Sequence, residues 1–322
     1  MNLARPAPGA VLCVYANSGI ANAVPRALPL VQRSRPGVVM LHSGPDDLAA
    51  HAPAQANALR SAVPGVEIWL AIGCDHRLRQ QRLSGGRYDG EAVVQHLASI
   101  ADSAAHCGAT VAMLDPESEW ELLGKHDPSL ADSIAREVLT EIRRRAPRLT
   151  LAFTSFDFPT YHAAFPWRAW LGPASPMTMA FAQCYASPEH GIAGRGQLEA
   201  RERGDLASWA TAVRAGWIRP DVEPDVPDDV DWYPYLQLHG VPAVDTIRVG
   251  VERAAVAGWA AGADNAEDLC DADGTNAWLA ICELRRRGYW GADAVVRFQR
   301  EVGLAADGIA GPKTLAALGA TA

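Results

Sequence analysis

Eight short apolar runs recur along the first 265 residues, and helix-like stretches separate them. The runs cover residues 11–17, 37–43, 66–73, 109–115, 149–157, 177–185, 233–239 and 257–264. Between them, apolar residues at three- and four-residue spacing predict helices, for example over 46–63, 91–107, 129–145 and 197–217. Near-continuous apolar strands that alternate with helices indicate a parallel sheet buried on both faces. Eight such units predict an α/β fold, the (β/α)₈ barrel.

A doubly wound open sheet is the main alternative to the barrel. Such sheets often bind nucleotides through a glycine-rich loop after the first strand. Here no Gly-x-Gly-x-x-Gly sequence follows the first run, and no Walker-type loop occurs. The usual nucleotide-binding interpretation of an open sheet therefore lacks support.

Charge and composition exclude several classes of partner. The net charge of −8 argues against nucleic acid, because binding to phosphates requires a basic face. No segment approaches the eighteen apolar residues of a membrane span. We interpret Val11–Ala16 as a first strand rather than as part of a signal peptide, and so expect the protein to be made in the cytoplasm. We also expect it to be a monomer.

The cysteines and histidines indicate neither disulfides nor a metal. The six cysteines show no paired spacing, which is typical of reduced, buried thiols. The nine histidines offer no zinc-ligand spacing, which also weakens an amidase or peptidase interpretation. We expect no metal and no cofactor.

The C-terminal stretch predicts a small three-helix unit. Helices are expected over Ala277–Arg287 and Ala294–Val302, each followed by glycine, and a last one from Thr314 to Leu318 after a turn at 307–314. The expected core consists of Leu279, Leu284, Val295, Phe298, Leu304, Ile309, Leu315 and Leu318. So small a core needs support from the barrel.

This stretch resembles the three-helix peptidoglycan-binding domain of many wall hydrolases. The matching positions are Ala294-Val295, Phe298-Gln299, Gly303-Leu304, Asp307-Gly308-Ile309, Gly311-Pro312, Thr314 and Leu318. The loop between the first two helices is cut to residues 289–293, so the first helix is expected to be shared with the barrel. The resemblance implies peptidoglycan as partner, action at the bacterial cell wall, and domains at 1–268 and 269–322.

The fourth apolar run ends in two carboxylates, Asp115 and Glu117. Alternation places both on the side of Val111 and Met113 if the strand continues past Pro116, so both should emerge at the barrel mouth. Carboxylates at the carboxyl end of a barrel strand are typical of catalysis. Two carboxyl groups close together repel as anions, so one can retain a proton to donate.

A carboxyl donor and a second carboxylate are what glycoside hydrolysis requires, and the substrate's acetamido group can replace the second. The alternative is that Asp115 or Glu117 only caps the helix that follows. Glu119 has the same parity and is expected to face solvent. Cys74-Asp75-His76, at the end of the third run, is interpreted as packing and a polar rim.

The strand end is similar to that of Chalaropsis-type lysozymes (glycoside hydrolase family 25), whose fourth strand ends Asp-x-Glu. This resemblance implies Glu117 as the general acid and Asp115 as its partner. Those enzymes also carry an aspartate on the first strand, where this chain has Asn17. Chitinase-like barrels share Asp-x-Glu but have further aspartates before it, where this chain has Val-Ala-Met-Leu.

Other strand ends supply polar and aromatic groups suited to sugar rings and hydroxyls. The expected groove residues are Asp157, Gln183, Tyr185, Gln237, His239, Trp259 and Asp264. The loop 159–176, with Tyr161, Trp167 and Trp170, is expected to wall the same groove. The sequence thus predicts a muramidase-like hydrolase such as a phage endolysin, with a non-catalytic wall-binding protein as the alternative. It leaves open the bond cut and whether configuration is retained or inverted.

Overall fold

The computed structural model describes residues 10–15, 19–85, 87–156, 158–182, 204, 207–220, 235–237, 256–261, 272–289, 291 and 293–320. Eight strands lie within these ranges, one in each predicted run. They are β1 (Ala10–Tyr15), β2 (Val38–His42), β3 (Glu67–Gly73), β4 (Val111–Asp115), β5 (Thr150–Ser155), β6 (Met179–Ala182), β7 (Tyr235–Gln237) and β8 (Val256–Ala261).

The strands form one parallel sheet in the order β6-β5-β4-β3-β2-β1-β8-β7. Strands that are consecutive in sequence pair with each other, except that β6 and β7 are not paired among the described residues, and β1 pairs with both β2 and β8. A doubly wound sheet would reverse its order at a switch point, and this sheet does not. The order is that of a TIM-like α/β barrel, which confirms the predicted fold class.

Helices connect the strands and cover the outside of the barrel. They are α1 (Ile20–Ser34), α2 (Pro45–Ala62), α3 (His76–Leu83), α4 (Gly90–Ala98), α5 (Ile100–Cys107), α6 (Ser118–His126), α7 (Pro128–Arg145), α8 (Trp167–Leu171) and α9 (207–214). The helix predicted over 91–107 is two helices, α4 and α5, separated at Ser99. A short 3₁₀ turn, Pro159–Tyr161, precedes α8.

Alternation along the strands produces two apolar layers. Val11, Cys13, Met40, Trp69 and Met113 belong to the cluster that fills the barrel interior. The residues between them face outward, where they join the helices in a larger cluster. The interior is a packed core, so a substrate can approach only the strand ends. Val111 and Met113 lie in the interior, as predicted.

Three helices follow the barrel: α10 (Ala272–Arg286), α11 (Ala294–Glu301) and α12 (Pro312–Leu318). α10 contacts α1 of the barrel as well as α11 and α12. Trp278 and Leu284 of α10 therefore belong to the same buried cluster as Phe298 and Leu318. The division at 268/269 remains a prediction.

The predicted core of these helices is wrong at one position. The side chain of Ile309 is 49% exposed, because the turn before α12 directs the Ile309 carbonyl inward instead. That carbonyl accepts a hydrogen bond from Nε2 of Gln299 (2.9 Å). Buried Gln299 also donates to Asp307 and Thr314 and accepts from the N–H of Gly308. A buried amide, rather than an aliphatic side chain, thus holds this turn.

Four cysteines, Cys13, Cys74, Cys107 and Cys282, are buried and are in no disulfide. Cys184 and Cys270 lie outside the described residues. Within the described ranges, no helix has the length and apolar character needed to cross a bilayer.

Candidate active site

The inner face of the barrel becomes polar at the carboxyl ends of the strands, which we call the mouth. β4 ends at Asp115, and its register partner on β3 is Gly73. Gly73 supplies no side chain, and a Cβ built there would meet no described atom within 4 Å. Among the described residues, open space therefore lies beside Asp115 at the mouth.

His42 ends β2 with the same inward parity as Met40, and its side chain is buried. Its Nε2 lies 3.7 Å from Oδ2 of Asp115, which is too long for a hydrogen bond. Burial lowers the pKa of His42 to about 4, so the ring is neutral at neutral pH. His42 is not among the site residues predicted from the sequence, although its parity in the second run could have indicated it.

Glu117 does not continue the strand. The prediction that its side chain lies on the side of Val111 and Met113 assumed that the strand continues past Pro116. β4 ends at Asp115, Glu117 has φ −135° and ψ −130°, and α6 begins at Ser118. Glu117 stands at the N-cap position of α6, but its side chain makes no capping hydrogen bond. Among the described groups, a side chain from another segment caps α6. This does not support the interpretation of Glu117 as a cap.

Asp75, which follows β3, caps α6 across more than forty residues of sequence. Its Oδ1 accepts from the N–H of Glu117 (2.8 Å), and its Oδ2 accepts from the N–H of Glu119 (2.9 Å). The hydroxyl of Ser118 donates to Oδ2 as well (3.2 Å). Burial raises the pKa of Asp75 despite these hydrogen bonds, which favour the charged form. Asp75 thus fixes the backbone that carries Glu117.

Cys74 lies near enough to three acidic groups for their charges to affect its thiol. Its thiol is buried in the outer apolar layer, and burial is the main reason that its pKa is raised. The negative charges of Asp115, Asp75 and Glu117 add to that rise. A thiol with a raised pKa is a poor nucleophile, which agrees with the interpretation of Cys74 as packing.

The prediction that Glu119 faces solvent is wrong. Its side chain is 3% exposed and forms a salt bridge with Arg82 (2.7 Å) and a longer one with Arg79 (3.3 Å), both on α3. Its hydrogen bond with Arg82 is the largest cause of the lowered pKa of Glu119. Glu119 therefore joins α6 to α3 as an anion and is not free to transfer protons at the mouth.

The end of β5 adds two buried hydroxyl groups next to β4. Ser155 donates to the carbonyl of Pro116, which ties the β4–α6 connection to β5. Thr154 is buried, and its Oγ1 has no hydrogen-bond partner among the described residues. A buried hydroxyl group in this position can accept or donate a hydrogen bond to a bound molecule.

Most of the expected groove residues lie outside the described ranges. This holds for Asp157, Gln183, Tyr185, His239 and Asp264. The backbones of Gln237 and Trp259 are described, and the two are register partners on β7 and β8. Gln237 ends its strand, whereas Trp259 lies in the middle of β8 beside Cys13.

The aromatic residues of the loop after β5 are of two kinds, buried and exposed. Trp167 and Trp170 are buried and pack around Phe153, so they do not wall a groove as expected. Tyr161 is 76% exposed and stacks on Phe158, with ring centroids 5.1 Å apart. Of the three aromatic residues predicted here, only Tyr161 offers an open ring face.

A separate cleft of about 320 Å³ lies outside the barrel, between α6, α7 and α8. Asp132, Arg168 and Trp217 are among its lining residues, and Asp115 and Glu117 are not. Among the described side chains, no group of three or more His, Cys, Asp or Glu is placed to hold a metal ion.

Residues 288–318 match the family model of a putative peptidoglycan binding domain. The match supports the predicted C-terminal module, and we use the name wall module for these residues. It covers α11, α12 and the turn between them. A comparison with curated proteins finds no match.

Three solved glycoside-active barrels are similar in structure. Active domain 2 of a thermostable chitinase from Pyrococcus furiosus, solved with chito-oligosaccharides, is 10% identical with a TM-score of 0.54, covering 88% of this chain and 97% of that one. A family 39 glycoside hydrolase from Bacteroides cellulosilyticus is 12% identical, with a TM-score of 0.52 over 86% of this chain. Saccharomyces cerevisiae Gas2p, solved with laminari-oligosaccharides, is 10% identical, with a TM-score of 0.50 over 81%.

The chain spans 64% of the length of the family 39 enzyme and 58% of Gas2p. At these identities the likeness shows the barrel fold alone. The fold positions the strand ends, but the chemistry depends on the residues that lie there.

Proposed function

We propose that the chain hydrolyses the glycan strand of peptidoglycan, as a muramidase-like endolysin does, while its wall module binds the polymer. The observation that carries the proposal is the position of Asp115 at the mouth end of β4, where its register partner Gly73 leaves space among the described atoms, with Glu117 two residues further along the chain. Similar barrels that act on glycans support the class of reaction, and the wall module supports the class of polymer.

In this proposal Glu117 donates a proton to the glycosidic oxygen, and Asp115 assists the sugar cation, directly or through the substrate's acetamido group. His42 faces Asp115 as a neutral ring, and in this proposal the Asp115 carboxylate stabilises positive charge on the sugar. Asp75 holds the backbone of Glu117 in place. The apolar interior below the mouth, which includes Met113, excludes water from one side.

The proposed groove extends from these carboxylates over neighbouring strand ends. Tyr161 offers an exposed ring for a pyranose face. Asp157, Gln183, Tyr185, Gln237, His239, Trp259 and Asp264 remain our proposed contacts to the glycan. The site of action in this proposal is the bacterial cell wall.

The test is hydrolysis of purified sacculi by the full chain, with reducing ends measured and products identified by mass spectrometry. We expect Glu117→Gln to lower the rate about 10²- to 10⁴-fold, because a positioned general acid contributes that much. Glu121→Gln is the matched control: it lies one turn further along α6 and pairs with Lys125 and His162. Full activity in the Glu117 variant would overturn its role. Products with intact glycan would overturn the class of reaction.

The second candidate is a non-catalytic wall-binding protein with a degenerate barrel. The observation in its favour is Asn17, which stands where lysozymes of the resembled family have an acid on the first strand. Retention of the full chain on sacculi with no release of reducing ends would favour this candidate over the hydrolase.

A further inference from the structure

The wall module contacts the barrel at the end opposite the mouth, which we call the floor. Nη2 of Arg33 donates to the carbonyl of Gly319, which directly follows α12 (3.3 Å). Arg33 lies in the last turn of α1, and β2 begins only five residues later. Gly319 therefore lies near the amino ends of the strands, whereas Asp115 lies at a carboxyl end.

The direction of α10 agrees with this placement. In a parallel barrel each helix returns from the carboxyl end of one strand toward the amino end of the next. α10 follows β8, packs against α1, and leads into α11 and α12 at its far end. β4 contains five residues, and at about 3.3 Å per residue it separates floor from mouth by roughly 15 Å.

Shared packing keeps the module at the floor. Trp278 and Leu284 of α10 are fully buried in the cluster that also contains Val31 of α1 and Phe298 of α11. Ala320, beyond α12, is buried too. The segment between α10 and α11 is short, since it covers only residues 287–293. The module therefore cannot swing to the mouth without breaking this core.

We infer that one chain engages two glycan strands at once, one held at the floor by the wall module and a second one cut at the mouth. This inference rests on the proposed function. A β-1,4-linked glycan is an extended polymer, and a strand that crosses the mouth runs across the barrel axis. Such a strand does not also reach the opposite end of the barrel.

The partner implied is a polymer that presents neighbouring strands, which the cross-linked wall does and a single isolated strand does not. Binding at the floor then raises the local concentration of adjacent strands at the mouth. It does not raise the affinity for the strand already held. This distinguishes the arrangement from an anchor and a cutting site that follow one strand.

The experiment measures bridging of strands by the full-length Glu117→Gln variant, with Asp115→Asn as a second inactive variant should the first fail to fold. Long un-crosslinked glycan strands are fixed on beads, the protein is loaded and washed, and fluorescent strands of equal length are added. Protein is used at concentrations where light scattering gives the mass of one chain. We expect the loaded beads to retain fluorescent strands, and beads without protein to retain none.

Protein that stays on the beads but captures no fluorescent strand would overturn the inference, because both sites would then occupy one strand or only one site would bind. Protein that fails to stay on the beads would overturn both the proposed anchor and the inference. Wild-type chain that releases no reducing ends from sacculi, while the variant still captures strands, would overturn the proposed hydrolysis and support two-strand binding.

Discussion

Nε2 of His42 lies 3.7 Å from Oδ2 of Asp115, where β2 and β4 end at the mouth of the barrel. β3 lies between these two strands, and it pairs Ala71 with His42 and Gly73 with Asp115. The imidazole is buried, and burial lowers its pKa to about 4. The pair thus consists of a neutral ring and a half-buried carboxyl group.

The buried His42 predicts that stability falls in mild acid. The unfolded chain takes up a proton near pH 6.5, whereas the folded chain resists protonation until about pH 4. Stability is therefore complete above about pH 6.5 and is lost as the pH falls toward 4. From pH 7 to pH 5 we expect His42 to account for a loss of about 2 kcal/mol in the free energy of unfolding.

Urea unfolding at pH 7, 6 and 5, for the wild type and His42→Gln, measures this loss. The carboxylates of the protein titrate in both chains, so the difference between them isolates the histidine. We expect the wild type to lose more stability than the variant over this range. Parallel pH dependences would show that His42 is not buried as a neutral ring.

Asp75→Ala should reduce stability and activity together. The variant leaves the N–H groups of Glu117 and Glu119 without their acceptor, and loss of a helix cap costs about 1–2 kcal/mol. Because the backbone of Glu117 is then no longer fixed, we expect kcat on sacculi to fall at least about tenfold. Both quantities can be measured on the same preparation.

Asp89→Ala is the control for the Asp75 variant. Asp89 caps α4 by accepting from the N–H of Ala92 (3.0 Å), and it makes no described contact with Glu117. We expect a comparable loss of stability with kcat unchanged. An equal fall of kcat in both variants would mean that activity follows stability and that Asp75 does not position Glu117.

The sequence predicted the barrel because its strands are buried on both faces, so each one is a near-continuous apolar run. Parity then placed Val111 and Met113 correctly. The same argument failed at Glu119, because the chain turns into α6 after Glu117 and strand parity no longer applies. The partners that bury Glu119, on α3, are contacts that no local pattern contains.

Contacts between distant segments explain the other differences. Asp75 caps a helix that begins more than forty residues later, and only the pairing of β3 with β4 brings the two together. Ile309 was assigned to the core because it is apolar, but the turn is held by buried Gln299. Trp167 and Trp170 occur in a long loop, yet they pack on Phe153 of β5.

Gly73→Val tests whether the space beside Asp115 receives substrate. A Cβ built at Gly73 meets no described atom within 4 Å, and valine suits a strand, so we expect the free energy of unfolding to change by less than about 1 kcal/mol. If a sugar occupies this space, KM on sacculi should rise at least about tenfold. The measurement is steady-state release of reducing ends.

Gly37→Val is the matched control, because a side chain at Gly37 also meets no described atom, and this glycine lies at the floor just before β2 begins. We expect its KM to equal that of the wild type. A Gly73 variant with normal KM would place the substrate elsewhere than beside Asp115.

Gln299→Leu tests whether the wall module and the barrel form one cooperative unit. The variant removes the amide whose two Nε2 hydrogens are shared among three acceptors and whose Oε1 accepts one bond, which should cost about 2–3 kcal/mol. Because α10 shares its core with α1 and Phe298, we expect the loss to appear in a single unfolding transition of the whole chain. Far-UV circular dichroism and tryptophan fluorescence should give coincident curves.

Gln80→Leu, at an exposed position on α3, should change the midpoint little. Two separate transitions in the Gln299 variant would show that the module unfolds while the barrel stays folded, and the packing that keeps it at the floor would then be too weak for the inferred arrangement.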